Sequence, residues 1–274
     1  WISGFTIKTG ANYNLDEFNN VFFNTGYISK APRFNNVYDY NNQLWRDIKN
    51  EKVKAIETGY SYRSIHFSSN INAYYTIWEN KPSNGGVSID VDDVTYRSNI
   101  NGMNALHKGI EMDLAYKMLP NLKIEGLISL GDWKWKSSDT VRFYDDNNNP
   151  VIDDNGNEII ATFDANGVHV GDAAQTQYGI SIRYEPTKNS YLKLRGTYFD
   201  NYYADFDPLS LNGNNAGRES WIIPAYGLLD LHCGHNIYIK TNRIDIKLSI
   251  LNLLNKTYIS DAQNNDPYNA NYQD

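Results

Sequence analysis

Hydrophobic and polar positions alternate with a period of two along most of this chain. Polar joins interrupt the alternation, and they are by turns short and long. Between Ile110 and Met118, the residues Ile110, Met112, Leu114, Tyr116 and Met118 share one face of an extended segment, against Glu111, Asp113, Ala115 and Lys117. The next segment sets Leu122, Ile124, Ile128 and Leu130 against Lys123, Glu125 and Ser129. Similar segments set Tyr178, Ile180, Ile182 and Tyr184 against Ser181, Arg183 and Glu185, and Leu192, Leu194 and Tyr198 against Lys193, Arg195 and Thr197. A last one sets Ile244, Ile246, Leu248 and Ile250 against Arg243, Asp245, Lys247 and Ser249. About ten such strands are expected, several longer than the roughly five or six residues of an average soluble strand.

The joins carry as much information as the strands. They are short at Asp16–Asn19, Ser64–His66, Pro120-Asn121, Thr187–Ser190 and Lys240–Asn242. They are long over Ala31–Asn50, Pro82–Asn104, Asp132–Gly171 and Asp207–Ile223. A soluble sheet has no reason to keep its long loops on one side, whereas a transmembrane antiparallel β-barrel has tight periplasmic turns and long outer loops. The expected fold is therefore all-β, a transmembrane barrel wall. Trp1, Trp78, Trp133 and Trp135 fall at the upper strand ends, where they read as an interfacial girdle. Tyr13, Tyr62, Tyr116, Tyr184, Tyr191 and Tyr238 fall at the lower ends.

Composition narrows the alternatives. Mean hydropathy is −0.59, and no apolar run approaches the roughly 20 residues of a membrane helix; a barrel strand needs only one apolar face. The 22 Tyr and 6 Trp suit aromatic girdles and would equally suit a glycan binder. A net charge of −7 without a basic cluster argues against nucleic acid as a partner. Cys233 is a single cysteine, so no disulfide forms within the chain. Trp1 begins inside what reads as a strand, as expected of a piece of something longer.

Two segments go beyond a generic barrel. Asn20-Val21-Phe22-Phe23-Asn24-Thr25-Gly26-Tyr27-Ile28-Ser29-Lys30-Ala31-Pro32-Arg33-Phe34, followed by Glu57-Thr58-Gly59-Tyr60, resembles a strand–loop–strand element of TonB-dependent outer-membrane receptors. Asn252-Leu253-Leu254-Asn255-Lys256-Thr257-Tyr258 is similar to an element near the C-terminal end of that family. In style the chain looks like the receptors of Bacteroidetes-type bacteria. The resemblance implies a barrel of about 22 strands around an N-terminal plug, in a Gram-negative outer membrane. It implies import of a scarce bulky nutrient (glycan, peptide, iron chelate, haem or cobalamin) and energy from TonB-ExbB-ExbD through an N-terminal region. A surface lipoprotein lid is compatible with it. Residues 1–274 would be the C-terminal portion of that barrel, roughly strands 12 to 21, with the plug, the early strands and the final strand outside it. A passive small porin is the main alternative, and an outer-membrane barrel enzyme a weaker one.

Candidate chemistry is sparse. No Gly-x-Ser-x-Gly or His-Glu-x-x-His element is present, so no catalytic residue, cofactor or metal ligand is expected. In His232-Cys233-Gly234-His235, alternation puts Cys233 and His235 on the lipid face and His232 on the other beside Asp230, which reads as strand rather than metal site. The run Asp145-Asp146-Asn147-Asn148-Asn149 has Pro150 where an EF-hand loop needs glycine, and Val151–Ile160 reads as a hairpin with an Asn-Gly turn. Charged residues of the second face (Glu111, Asp113, Lys123, Glu125, Arg183, Lys193, Arg195, Asp245, Lys247) read mostly as wall residues pairing across strands. Ligand contact is expected in the outer loops, at Trp45, Arg46, Tyr96, Arg97, Arg218 and Trp221, which combine flat apolar faces with hydrogen-bond donors.

Overall fold

The structure, a computed structural model, describes residues 2–38, 44, 48–82, 87–98, 100–145, 147 and 149–264. Ten long strands form its wall. They are β1 (Phe5–Asn14), β2 (Asn19–Lys30), β3 (Glu51–Arg63), β4 (Phe67–Pro82) and β5 (Asn101–Leu119), then β6 (Leu122–Trp135), β7 (Ala174–Thr187), β8 (Ser190–Tyr203), β9 (Tyr226–Ile239) and β10 (Asn242–Ile250). They lie side by side in sequence order, each antiparallel to the next. The two-residue strand Ile222–Ile223 adds onto the upper end of β8. The joins alternate as the sequence implies: tight turns at one end, called lower below, and long loops at the other.

Local chemistry closes the tight turns. The Asp16 carboxylate accepts hydrogen bonds from the backbone N–H of Phe18 at 2.7 Å and of Asn19 at 2.8 Å, so β1 turns into β2 with its donors satisfied. Ser64 accepts from the Phe67 N–H at 3.1 Å between β3 and β4. Lys240, at φ 55°, takes the left-handed conformation between β9 and β10. β4 has 16 residues and β5 has 19. About 9–11 tilted residues cross a bilayer, so these strands continue above it and carry the loops.

The register sorts the side chains. One row of cross-strand partners runs Tyr13, Val21, Tyr60, Ile71, Met112, Ile128, Tyr178, Tyr198 across β1 to β8. Every member is apolar or tyrosine, and the row lies on the outward face, where Ile180 is 58% and Leu248 57% exposed. A row of the opposite parity runs Ser68, Ala115, Glu125, Ser181, Arg195, Asp230 across β4 to β9. That is the inner face. The well-packed hydrophobic core lies under neither face but above the wall. There Val87 and Ile100 meet Val141, Phe143, Val151, Phe163 and Val168, together with Phe206 and Leu211. Three long loops thus share one interior.

The parity corrects the aromatic girdle. Tyr13, Tyr62, Tyr116 and Tyr184 do face outward near the lower end, but Tyr191 and Tyr238 face inward, since they pair with Gly234 and Arg243. Trp78, Trp133 and Trp135 are at the upper ends as expected, yet they too face inward. Trp135 is 6% exposed within the loop core, and Trp133 packs against it. The upper outward aromatics are instead Phe5, Tyr27, Tyr75, Tyr178 and Tyr198, with Phe5 on Tyr27 at 5.4 Å and Tyr178 on Tyr198 at 6.2 Å. The indole N–H of Trp133 donates to the Tyr74 hydroxyl at 2.8 Å and that of Trp78 to the Glu51 carboxylate at 2.6 Å. Trp1 and Trp45 lie outside the described residues.

The facing assignment predicts that Ile128→Arg, in the middle of the outward row, lowers stability in vesicles by about 2–4 kcal/mol. Ser129→Arg, one residue along and opposite Glu111, should cost well under half of that. Urea titration of the folded band on unheated gels measures both, and equal losses would contradict the assignment.

Candidate functional site

The inner face is polar and largely self-paired. Glu125 accepts from Lys123 at 2.6 Å, Lys193 at 3.0 Å and Ser181 at 3.0 Å. The Asp230 carboxylate, 5% exposed, takes Arg195 Nη2 at 2.6 Å on one oxygen and the Asn252 N–H at 2.9 Å on the other. Arg183 donates to Glu185 at 2.7 Å while its guanidinium lies 4.0 Å from the Tyr191 ring centre. Arg243 donates to Asp245 at 2.5 Å, and Asp113 accepts from Asn70 at 3.1 Å. Of the charged inner residues anticipated from the sequence, Glu111, Asp113 and Lys247 form no ion pair among the described residues. The pairs enclose a trough of about 320 Å³ lined by Asn70, Asp113, Glu125, Ser181, Arg195 and Thr197.

Glycines shape this face. A Cβ at Gly59 would strike the Phe22 ring, one at Gly109 the Tyr74 ring and one at Gly234 the Tyr191 ring. In each case the ring lies across the glycine of its partner strand. The arrangement recovers packing that glycine alone forfeits.

Above the trough stands an aromatic cluster the sequence reading missed. His107 stacks on Trp133 at 5.4 Å and lies 5.8 Å from Trp78. The Lys81 ammonium sits 4.9 Å from the Trp78 ring centre and 5.1 Å from that of Trp135, a cation held between aromatic faces. The signal was present in the sequence: Trp133 and Trp135 have the parity of Lys123 and Glu125, not of Leu130.

The anticipated ligand residues fall as follows. Trp45 and Arg46 lie outside the described residues. Tyr96 pairs with Ile89 in the hairpin Val87–Val91/Val94–Ser98 and packs against the loop core. The backbone of Arg97 lies opposite Ser88. Arg218 donates its N–H to the Asn215 carbonyl at 3.0 Å, and the Trp221 carbonyl accepts from Ala204 at 2.9 Å. Because Val87, Phe163 and Leu211 belong to one core, Tyr96 and the Arg218–Trp221 segment are carried by one packed loop body.

The acidic loop binds itself. Asp145 accepts from the N–H of Asn147 at 2.9 Å and of Asn149 at 2.7 Å. Asp153 repeats the motif with Asn155 at 2.9 Å and Asn157 at 2.8 Å. Backbone donors hold both carboxyls below the usual aspartate range. Asp205, by contrast, is pushed up by burial and by the neighbouring Asp172. Among the described residues no group of three or more His, Cys, Asp or Glu is placed to hold a metal. His232 and His235 point to opposite faces, bonded to Ser249 at 2.9 Å and Ser190 at 2.8 Å.

Comparison with known proteins decides what this wall belongs to. A family profile described as "TonB dependent receptor-like, beta-barrel" matches residues 2–253. The chain belongs to the TonB-dependent receptor β-barrel family. Solved structures agree on the fold. The FrpB iron transporter from Neisseria meningitidis superposes with a TM-score of 0.59 at 17% identity, over 92% of this chain and 35% of its own. The copper transporter OprC gives 0.62 at 12% identity, over 93% and 34%. The ferric-catecholate import receptor Fiu from K12 E. coli gives 0.56 at 16%, over 95% and 32%. The chain thus spans about a third of the length of these structures. No curated protein matches it.

The receptor-like motifs acquire a physical basis. In Asn252-Leu253-Leu254-Asn255-Lys256, the Asn252 side chain accepts from the Lys256 N–H at 2.8 Å and donates to the Lys256 carbonyl at 2.9 Å. Asn252 and Asn255 stand at φ 50° and 49°, which asparagine tolerates better than most residues. The turn is anchored to the wall by Asp230.

Asp230→Asn should therefore lower stability by about 1–3 kcal/mol and raise amide exchange at Asn252. Unchanged exchange there would show that the turn does not depend on the carboxylate. Acid should loosen the outer loop: a depressed carboxyl contributes stability that is full above its unfolded pKa near 3.8 and is lost as pH falls through the lower folded value. NMR shifts of the Asn147, Asn149, Asn155 and Asn157 amides should move together below about pH 4. Asp145→Ala and Asp153→Ala should each abolish the shift in their own turn.

Proposed function

We propose that residues 1–274 form the C-terminal portion of the barrel of a TonB-dependent receptor that imports a scarce, bulky nutrient across the outer membrane of a Gram-negative bacterium. The observation that carries this reading is the two-faced wall. An apolar outward row runs across eight strands, while the inner face is a paired polar ladder. Membership of the family supports the direction and energy source of transport. β1 and β10 are the ends of the strand order, and lipid cannot satisfy open edges. Further strands would close the barrel, and a plug would fill its lumen against the mixed-charge inner wall.

In this reading ligand is captured by the loop body that bears Tyr96, Arg97, Arg218 and Trp221, with Trp45 and Arg46 contributing from the first long loop. Pulling through TonB-ExbB-ExbD then rearranges the plug, and the mixed-charge inner face provides a hydrated path. A surface lipoprotein would close over the loops. The ligand class stays open between glycan, peptide, iron chelate, haem and cobalamin. The chain does no covalent chemistry on the cargo in this reading.

The test joins mass, conductance and energy coupling. The protein from outer membranes should have an intact mass several-fold above 31.4 kDa and be silent in planar bilayers. It should support growth on its limiting nutrient only when TonB is present. A 31.4 kDa species giving steady conductance without TonB would overturn the reading in favour of a porin.

A further inference from the structure

Five Asn-Gly pairs occur in the chain, and all of them fall in its long upper joins: Asn84-Gly85, Asn101-Gly102, Asn155-Gly156, Asn166-Gly167 and Asn212-Gly213. A glycine after asparagine leaves its backbone nitrogen unshielded by a side chain, so that nitrogen can attack the asparagine amide. The structure separates these pairs by what each glycine nitrogen does. The Gly156 N–H donates to the Asp153 carbonyl at 2.9 Å, and the Gly167 N–H to the Trp135 carbonyl at 2.9 Å. Asn101-Gly102 belongs to the β5 ladder, and Asn84-Gly85 lies outside the described residues. The Gly213 N–H donates no hydrogen bond among the described residues.

That difference bears on reactivity. An N–H aimed at a carbonyl resists deprotonation, because the nitrogen anion would face that oxygen, and the bond also fixes the peptide plane. Gly213 carries neither restraint. Open space does not distinguish the sites, since a Cβ at Gly156, Gly167 or Gly213 would meet nothing within 4 Å. The hydrogen bond on the nitrogen does. Asn212 and Gly213 are both exposed, and the Asn212 side chain is held by one bond, from Nδ2 to the Leu209 carbonyl at 2.6 Å. Opening that bond frees the side chain to swing toward Gly213.

We infer that Asn212 is a site of spontaneous conversion to aspartate and isoaspartate, and that the conversion loosens the packed loop body. The Gly213 nitrogen bonds to Asn212 Cγ, the Cγ–Nδ2 bond breaks, and ammonia leaves with the glycine proton. Water then opens the cyclic imide. Attack at Cγ gives aspartate, and attack at the main-chain carbonyl gives isoaspartate, with the chain rerouted through the former side chain. Either product loses the Nδ2 donor and sets an acceptor-only carboxylate in its place. Leu209 packs against the loop core and Leu211 belongs to it. The Leu211 carbonyl accepts from Asp164, whose own carbonyl accepts from Gly217. Loss of the donor at Asn212 therefore reaches the tie between the two last long loops. The inference concerns the loop body alone and stands apart from the transport reading.

The test holds the full protein in detergent at mildly alkaline pH and follows each Asn-Gly peptide by mass, with aspartate and isoaspartate forms separated by chromatography. In the folded protein Asn212 should convert about fivefold faster than Asn155 and Asn166, the effect of one hydrogen bond on the glycine nitrogen. After unfolding in urea the three rates should converge, because the reacting pair is the same. Equal rates in the folded protein, or Asn155 or Asn166 ahead of Asn212, would overturn the site. Asn212→Asp should raise amide exchange at Asp164 and Gly217 while the unheated gel band stays folded, and Asn155→Asp should leave exchange at those two amides unchanged. Unchanged exchange in Asn212→Asp would overturn the loosening. Should that variant lose the folded band, aged wild-type protein enriched in converted Asn212 gives the same reading.

Discussion

The wall of this molecule follows from the cost of an unpaired backbone amide in lipid. No water reaches the bilayer centre, so each N–H and C=O there must find a partner within the protein. A meander of antiparallel strands meets that demand with the shortest connections available, and it imposes a strict period of two. Once the ladder is registered, the identity of a residue's face is fixed by parity alone. Sliding Tyr60 by one residue against Ile71 would place Glu57 and its neighbours in lipid. The long register runs of β2 on β3 and β3 on β4, free of bulges, are thus the condition for both faces at once.

The inner face solves a different problem. It must carry charge in a space neither fully wet nor fully dry, and it does so by local neutralisation. Glu125 between Lys123 and Lys193, and Asp230 between Arg195 and the Asn252 N–H, leave little net charge on the wall. Such partly exposed pairs add modest stability, but they keep long side chains ordered along the wall. The rings laid over Gly59, Gly109 and Gly234 have the same effect without charge. The inner wall is therefore defined in shape.

Much of this was legible in the sequence, because period-two alternation is the one signal a barrel strand cannot dispense with. The strands from Ile110 to Leu130 and from Tyr178 to Tyr198 read correctly, and so did the alternation of short and long joins. The facing of His232 against Cys233 and His235 did too. The tryptophans were misread because residue type was allowed to outweigh parity. Trp133 sits three residues after Leu130, on the opposite face, and a girdle expectation hid that. Tyr191 and Tyr238 failed for the same reason. The loop core was not legible at all. Val87, Phe143, Phe163 and Leu211 come from three separate loops, and nothing in their local pattern shows that they meet.

That shared core changes what the outer loops are. Asn- and Asp-rich connections of such length would ordinarily pay their ordering entropy when a ligand arrives. Here the hairpin of Tyr96, the Asp145 and Asp153 turns and the segment leading to Trp221 are already tied together by a common apolar interior. Gly217 donates to the Asp164 carbonyl at 2.8 Å and Asp164 to the Leu211 carbonyl at 2.8 Å, stitching the second-last loop to the last. Under the proposed import function, a surface organised in this way would meet a ligand with most of its ordering already done. Change at the exposed tips, such as Asn155-Gly156, is compatible with this frame, which Phe143 and Leu211 hold. The division runs through the whole chain: parity governs the wall, and burial away from the wall governs the loops.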